Sequence, residues 1–363
     1  LQLETGQRLH FLIGSETAMS IQNELRRILE QRETLSREEA SALMQSILAG
    51  QASDVELAAL LGALAARGET SAEIAGFAST LRDAANILPL SEIERQSLVD
   101  TCGTGGDASG SFNISTAAAL VAAAAGIKVA KHGNRAVTSL CGSADVLEAL
   151  GIPIQLSPTD AAAALRTHGF AFLLAPSHHP QLKAVMPVRK ALGVRSILHI
   201  LGPLLNPAGA RRQVMGVYQS RLVPLVANAM ILLDIQHAMV VHGDGGSASG
   251  SMGIDELALS GPSEIAELRN GTITQYTITP EEFGLPRAPL SELAGGNASD
   301  NAIILKAIFT GKSGPHRNVV LLNAAAVLVV GGLATTLRDG INLAATTIDS
   351  GAVTQLVNSL QGT

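Results

Sequence analysis

Between residues 20 and 86 the apolar positions fall at helical spacing, as in Val55, Leu57, Leu60, Leu61 and Leu64, and the segment reads as helices only. Three start signals punctuate it: Ser36 with Glu39, Ser53 with Glu56, and Thr70 with Glu73. In each, a hydroxyl residue precedes a glutamate by three positions. Both side chains can then accept from first-turn N–H groups that have no partner within the helix. Gly50 and Gly68 stand where two of these helices should stop. The pattern predicts a small all-helical body whose surface is also available for a dimer contact.

From Leu98 the rhythm changes. Short apolar runs at 127–130, 152–156, 170–175, 214–218 and 238–242 alternate with Ala-rich helical stretches such as 116–125 and 158–167. Apolar runs of that length between helices predict strands joined by helical crossovers, hence a large α/β domain with a central, mostly parallel sheet. Ligands of such sheets bind at the carboxyl ends of strands. Residues 298–310 and 317–338 read as helices again, and the glycine-rich stretch 243–253 reads as a mobile loop.

A chain of 363 residues suits one large domain with a smaller one attached, or two ordinary ones. Aromatics are only 2% and Trp is absent, so the core is built from Ala, Leu, Val and Ile. The net charge of −6 argues against a general nucleic-acid binder, which needs a basic face. A phosphate-rich substrate would have to be neutralised locally, by a metal or by backbone N–H groups. Two cysteines, Cys102 and Cys141, make no disulfide framework and predict reduced thiols and a cytoplasmic protein. No apolar run has the length of a membrane span. Residues 1–19 read as an extension outside the fold; the apolar run at 10–13 is too short for a signal peptide.

Four constellations carry candidate chemistry. The first is Asp100-Thr-Cys-Gly-Thr-Gly-Gly-Asp107 followed by Asn113-Ile-Ser-Thr116, between a short strand and an Ala-rich helix. Gly103, Gly105 and Gly106 permit close backbone approach and positive φ, and free N–H groups ahead of a helix start make an anion site. Ser115 and Thr116 can cap the helix or donate to phosphate oxygens. Asp107 would repel a bare anion; it fits a ribose hydroxyl or a metal shell. A plain glycine-rich turn with a helix cap is the simpler reading. No Walker loop is present, since no Gly-Lys-Ser/Thr follows.

The second is Lys131-His-Gly-Asn-Arg135 with Cys141-Gly-Ser-Ala-Asp145. Lys131 at a strand end can reach a phosphate as a point charge. Asn134 offers donor and acceptor, and Gly142-Ser143 opens another helix. His132 is either structural or functional. The third is Ser177-His-His-Pro180 with Pro187-Val-Arg189, then Leu201-Gly-Pro-Leu-Leu-Asn-Pro207. Arg189 either binds a carboxylate through two parallel hydrogen bonds or is a surface arginine near a Pro-rich turn. The fourth is Asp255-Glu256, an adjacent pair that suits Mg²⁺ shared with substrate phosphates or is simply exposed acid.

This ordered set of motifs, from about residue 20 to the end, resembles the anthranilate phosphoribosyltransferase family. The resemblance implies a small helical domain over 20–90 that also receives helices from about 180–205, and a large α/β domain over 91–179 and 206–363. It implies a homodimer through the small domains, and transfer of phosphoribosyl from 5-phosphoribosyl 1-pyrophosphate to anthranilate in tryptophan biosynthesis, with Mg²⁺. By carry-over, Gly103, Gly106, Asp107, Ser111, Asn113, Ser115, Thr116, Lys131 and Ser143 contact the sugar diphosphate. Gly103, Asn134 and Arg189 contact anthranilate with His132 and His179 nearby, and Ser115, Asp255 and Glu256 serve Mg²⁺. The chain departs from the pattern at Ser111, where the family usually has Thr; at His199, where it usually has Asn; and at 247–252, which looks inserted. Two other readings share or border the fold. A pyrimidine nucleoside phosphorylase would carry a lysine-serine phosphate signature in the first loop. A non-catalytic nucleic-acid-binding relative would show a basic surface and would lack Asn134 and Arg189.

Overall fold

The computed structural model describes residues 20–107, 109–136, 139–246 and 253–362. The expectations for 1–19 and for 247–252 fall outside the described residues.

Helices α1 (Ile21–Glu30), α2 (Arg37–Leu48), α3 (Asp54–Arg67) and α4 (Ser71–Asp83) form the first body. All three expected capping boxes are formed, with both limbs bonded. The apolar faces meet around Leu43, Leu60, Leu64, Ile74 and Phe77, all essentially sealed from solvent. Glu73 does more than cap. Its buried carboxylate accepts from Arg67 Nη2 at 2.5 and 2.6 Å, from Leu35 N at 2.9 Å and from Thr70 N at 2.9 Å. Glu73→Ala would leave the Arg67 guanidinium, 8% exposed, without its counter-charge. The expected cost is about 3–5 kcal/mol in urea unfolding; a loss below about 1 kcal/mol, the scale of an exposed pair, would show that this network does not hold the bundle.

The second body begins with α5 (Glu92–Ser97), β1 (Leu98–Gly103), α6 (Ile114–Ala124), β2 (Lys128–Gly133), α7 (Ser143–Ala149), α8 (Pro158–His168) and β3 (Phe170–Leu174). Short helices α9 (Ala175–His178), α10 (Met186–Leu192) and α11 (Ile197–Leu201) follow. Then come β4 (Arg212–Gly216), α12 (Leu222–Leu232), β5 (His237–Gly243), β6 (Ser263–Arg269) and β7 (Thr272–Ile278). The chain closes with α13 (Ala298–Phe309), α14 (Pro315–Gly331), α15 (Leu337–Asp349) and α16 (Ala352–Leu360).

Among the described residues, the strands make one sheet in the order β3-β2-β1-β4-β5-β6-β7. The first five in that order are parallel; β6 and β7 continue it antiparallel. Both faces are covered, as a parallel sheet requires. On one side α6 and α14 pack; α14 is apolar all round and buried from Val319 to Val330. On the other side α12 lies between the sheet and the bundle, its Val226 and Ala227 in one core with Met215, Val240, Ile74 and Phe77. Val188, Ile197 and Leu201 of α10 and α11 join that same core. No described helix is long and apolar enough to cross a membrane.

Three expectations need correction. Residues 152–156 are not a strand: Ile152 and Ile154 are buried, but as an irregular link between α7 and α8 that pairs with nothing in the sheet. Their apolar character serves burial alone. Strands β6 and β7 were not anticipated. The helix expected over 317–338 is two helices, broken after Gly331 where Gly332 takes φ +86°.

Candidate active site

Parallel register brings the strand ends into line. Gly103 of β1 sits beside Gly216 of β4, and β2 and β5 also close on glycines, Gly133 and Gly243. A later segment is laid across these ends. Ile254 bonds Gly243 in both directions, at 2.9 and 2.8 Å. Leu257 is clasped by Asn323, a buried amide on α14 that donates to Leu257 O at 2.9 Å and accepts from Leu257 N at 3.0 Å. Pinned at both ends, Asp255 runs over β1 and β4 so closely that a Cβ at Gly103 would fall 2.7 Å from its Cγ, and one at Gly216 would strike its backbone. These two glycines exist for that approach.

The loop after β1 turns through Gly105 and Gly106 at φ +65° and +71°. Its N–H groups are already engaged by carboxylates. Asp255 Oδ2 accepts from Gly105 N at 2.7 Å, and Glu256 Oε1 accepts from Ser115 N, in the first turn of α6, at 3.0 Å. Asp107 accepts from Ser109 N at 3.0 Å and from Asp255 N at 3.4 Å. Beneath them Lys131 is 1% exposed, not at the surface; its Nζ donates to Thr101 O and reaches Ser115 Oγ at 3.4 Å. Burial, with Asp107 and Glu256 adding repulsion, holds the Asp255 carboxyl well above the usual range. Burial also pushes Glu256 up to about 7, against the pull of Lys131. The one buried ammonium, Lys131, acts on Glu256 and on Asp100, while Asp107 and Glu256 repel Asp255, so the place is short of positive charge. Among the described residues no three acidic, His or Cys side chains form a closed metal cage. Mg²⁺ needs none, since it is commonly held by one or two carboxylates together with substrate phosphates. The donor set fits that ion.

A second group lies alongside. The His132 and His179 rings meet edge to face with centroids 5.2 Å apart, and each Nε2 is buried without a partner among the described residues. Burial holds His132 far below its ordinary value and His179 at about 4, so both rings are neutral at pH 7. Arg189, on α10, is half-buried, and its guanidinium makes no hydrogen bond or ion pair among the described residues. His199, beside it, is kept neutral by burial and by that charge, and its Nδ1 accepts from Ser196 N at 3.2 Å. An asparagine oxygen could accept the same bond.

Two family models cover these two bodies: the helical bundle domain of a glycosyl transferase family over residues 23–85, and its a/b domain over residues 95–354. A relative from Chloroflexus aggregans, an anthranilate phosphoribosyltransferase, is 47% identical over 92% of this chain and 95% of its own. One from Brevibacillus brevis is 48% identical over 88% and 91%. The chain belongs to the anthranilate phosphoribosyltransferases. The solved enzyme of that name from Thermus thermophilus superposes with a TM-score of 0.85 at 41% identity, over 93% of this chain and 98% of that one. The Saccharomyces cerevisiae enzyme, solved in complex with PRPP and Mg, superposes at 0.83 with 26% identity, over 94% and 97%.

In this family member the structure gathers Gly103, Gly106, Asp107, Ser115, Thr116, Lys131, Asp255 and Glu256 about the end of β1. Asn113 ties its loop to the next one, donating to Cys141 O at 3.2 Å and accepting from Asn301 at 2.8 Å. Ser111 bridges to Ala294, and its hydroxyl accepts from Ser109 Oγ at 3.1 Å. Ser143 donates to Asn134 O at 3.3 Å. No hydrogen bond or ion pair among the described residues joins Arg189 to Asn134 or to the histidine pair. Arg135 is spent on Asp145 and Glu148, at 2.9 Å each. Two residues were given no role by the sequence. Asp100, buried under the loop, accepts from His132 N at 3.1 Å. Arg195 donates to Gly106 O and lies 4.5 Å over the Tyr218 ring, which ties the 193–196 turn to the glycine loop. Gly103→Ala is expected to displace Asp255, to lower stability by about 1–3 kcal/mol through overpacking, and to reduce turnover. Urea unfolding and initial rates check this; unchanged values for both would contradict the packing described.

Proposed function

We infer that the protein transfers the phosphoribosyl group of 5-phosphoribosyl 1-pyrophosphate to the amine of anthranilate, giving N-(5-phosphoribosyl)anthranilate and pyrophosphate in tryptophan biosynthesis. One observation carries this at the level of the site. The amide groups of a glycine loop and of a helix start converge with Ser115, Lys131, Asp255 and Glu256 at the end of β1.

The roles proposed follow from that geometry. The N–H groups at Gly105 and Ser115 are anion donors, held by carboxylates in this structure. A diphosphate with higher charge competes for them. Gly103 and Gly106 let the backbone reach it, and the hydroxyls of Ser111, Ser115, Thr116 and Ser143 with Asn113 contact its oxygens. Asp107 accepts from the ribose hydroxyls, and Lys131 balances charge from below. Asn134 and Arg189 orient anthranilate, Arg189 through its carboxylate, with Gly103, His132 and His179 forming the wall. In the reaction the bond from the anomeric carbon to pyrophosphate breaks and its electron pair leaves with pyrophosphate. The amine nitrogen forms the new bond and loses a proton. An aromatic amine is already neutral at pH 7, so neutral His132 and His179 suit a wall that excludes water and does not act as base. Asp255, Glu256 and the Ser115 hydroxyl would hold Mg²⁺, which when bound stabilises negative charge on the diphosphate.

A homodimer through the helical bodies is the assembly we propose: Leu29 and Val55, 56% and 78% exposed, are apolar side chains that the bundle leaves uncovered. A cytoplasmic setting is supported by the free thiols of Cys102 and Cys141. The decisive assay mixes the protein with Mg²⁺, 5-phosphoribosyl 1-pyrophosphate and anthranilate and follows loss of anthranilate fluorescence. No loss, together with phosphorolysis of a pyrimidine nucleoside, would reassign the activity.

A further inference from the structure

The amino ends of the sheet carry a second charged cleft. The residues entering β1, β4 and β5 lie there, against the ends of α2 and α4, and the cleft measures about 260 Å³. Strands of five to seven residues separate it from the glycine loop, a span of roughly 20 Å at about 3.3 Å per residue. Its lining includes Arg37, Arg82, Arg95 and Arg211 with Asp83 and Asp234. The helical body supplies Arg37, Arg82 and Asp83; the α/β body supplies the rest.

These guanidinium groups are held in place but poorly neutralised. Arg95 donates to Ala208 O at 2.8 Å and to Leu88 O at 2.9 Å. Arg82 donates to Leu204 O at 2.5 Å and to Leu233 O at 3.3 Å. Those partners are neutral carbonyls, whereas Arg27, Arg67, Arg135 and Arg317 each meet a carboxylate within 3 Å. The Arg37 side chain makes no hydrogen bond or ion pair among the described residues. Among the described residues, only Arg211 of the four meets a carboxylate, Glu92 at 3.2 Å. Neither Asp83 nor Asp234 forms an ion pair with the four arginines. Burial and the facing Arg211 pull Arg82 down to about 10, against the partial compensation of Asp234, Asp83 and Asp100. The backbone bonds use only part of each guanidinium, which carries five donors.

We propose that this cleft is a binding site for a phosphate dianion, free or as the head of a small phosphate monoester, distinct from the site at the glycine loop. Planar guanidinium forks match phosphate oxygens in pairs. The hydroxyl of Ser79 adds a donor, and the two aspartates accept from hydroxyls on the remainder of a monoester. A ligand there touches both bodies, so its occupancy resists their separation.

The test titrates inorganic phosphate and glycerol 3-phosphate calorimetrically into the whole protein and into Arg37→Ala/Arg211→Ala, at constant ionic strength. The double variant is expected to bind one phosphate group fewer per chain, or to bind it at least about tenfold more weakly. Its KM values for both substrates should stay within about twofold, because neither arginine is at the catalytic end. Tm should rise with phosphate in the wild type and much less in the variant. Tighter binding of glycerol 3-phosphate would mark the ligand as a monoester; equal binding would mark it as free phosphate. Phosphate uptake and Tm response unchanged in the double variant would overturn the proposal, as would an equal Tm response of both proteins to sulfate and phosphate. If the double variant does not fold, Arg37→Ala alone decides, since that side chain bonds nothing among the described residues and its loss should still weaken binding by about threefold or more.

Discussion

Asp255→Asn combined with Glu256→Gln is expected to leave the protein folded and to cut Mg²⁺-supported turnover by about 100- to 1,000-fold, the scale of losing preorganised charge stabilisation. The two amides are near-isosteric, and their oxygens can still accept from Gly105 N and Ser115 N, the bonds at 2.7 and 3.0 Å that set the loop. What disappears is negative charge. Burial and repulsion from Asp107 already raise both carboxyls in the folded protein, so removing their charge relieves strain and does not create it. Tm should therefore hold or increase while activity falls. That opposition separates a loss of metal binding from a loss of structure. Initial rates across a Mg²⁺ series and a thermal melt provide the check. Wild-type rates at low Mg²⁺ in the double variant would remove this pair from the metal site.

The bundle was legible because its signals are local. A hydroxyl and a glutamate three residues apart need only one helical turn to meet, and Ser36/Glu39, Ser53/Glu56 and Thr70/Glu73 did so. The glycine loop was legible for the same reason, since Gly105 and Gly106 answer to backbone sterics. Residues 152–156 misled because the apolar side chains of Ile152, Ile154 and Leu156 report burial, not pairing. The β6–β7 hairpin had a readable signal in Asn270-Gly271, both at positive φ as a tight hairpin turn demands, flanked by residues such as Ile265, Ile273 and Ile278. Its edge strand is mostly exposed, which hid the period. The site's wiring was not readable at all. Gly105 and Asp255 are 150 positions apart, and only the register of β1, β4 and β5 makes them neighbours. For the same reason Lys131 read only as a strand-end charge within reach of a phosphate, and the fold alone shows that it is buried beneath Ser115.

Arg189→Ala should raise the KM for anthranilate by about 30- to 4,000-fold, the consequence of truncating one partner of a partly desolvated charge pair worth about 2–5 kcal/mol. The KM for 5-phosphoribosyl 1-pyrophosphate should move only a few-fold. The environment of Arg189 is electrostatically incomplete. The fold half-buries the guanidinium on α10, gives it no carboxylate among the described residues, and lets burial pull its pKa down. Its neighbour His199 stays neutral near pH 7, so it neither competes for the substrate carboxylate nor repels Arg189 as a cation. A bound carboxylate offsets the desolvation of the half-buried guanidinium. Arg189→Lys keeps the charge but not the planar fork, and should fall between the alanine variant and the wild type. The carboxamide of anthranilate supplies the converse test. It should be a poor substrate for the wild type, and it should lose little further in Arg189→Ala, because the contact in question is already missing from the ligand. If the alanine variant penalises acid and amide alike, Arg189 shapes the site without holding the carboxylate; if it penalises neither, anthranilate binds elsewhere.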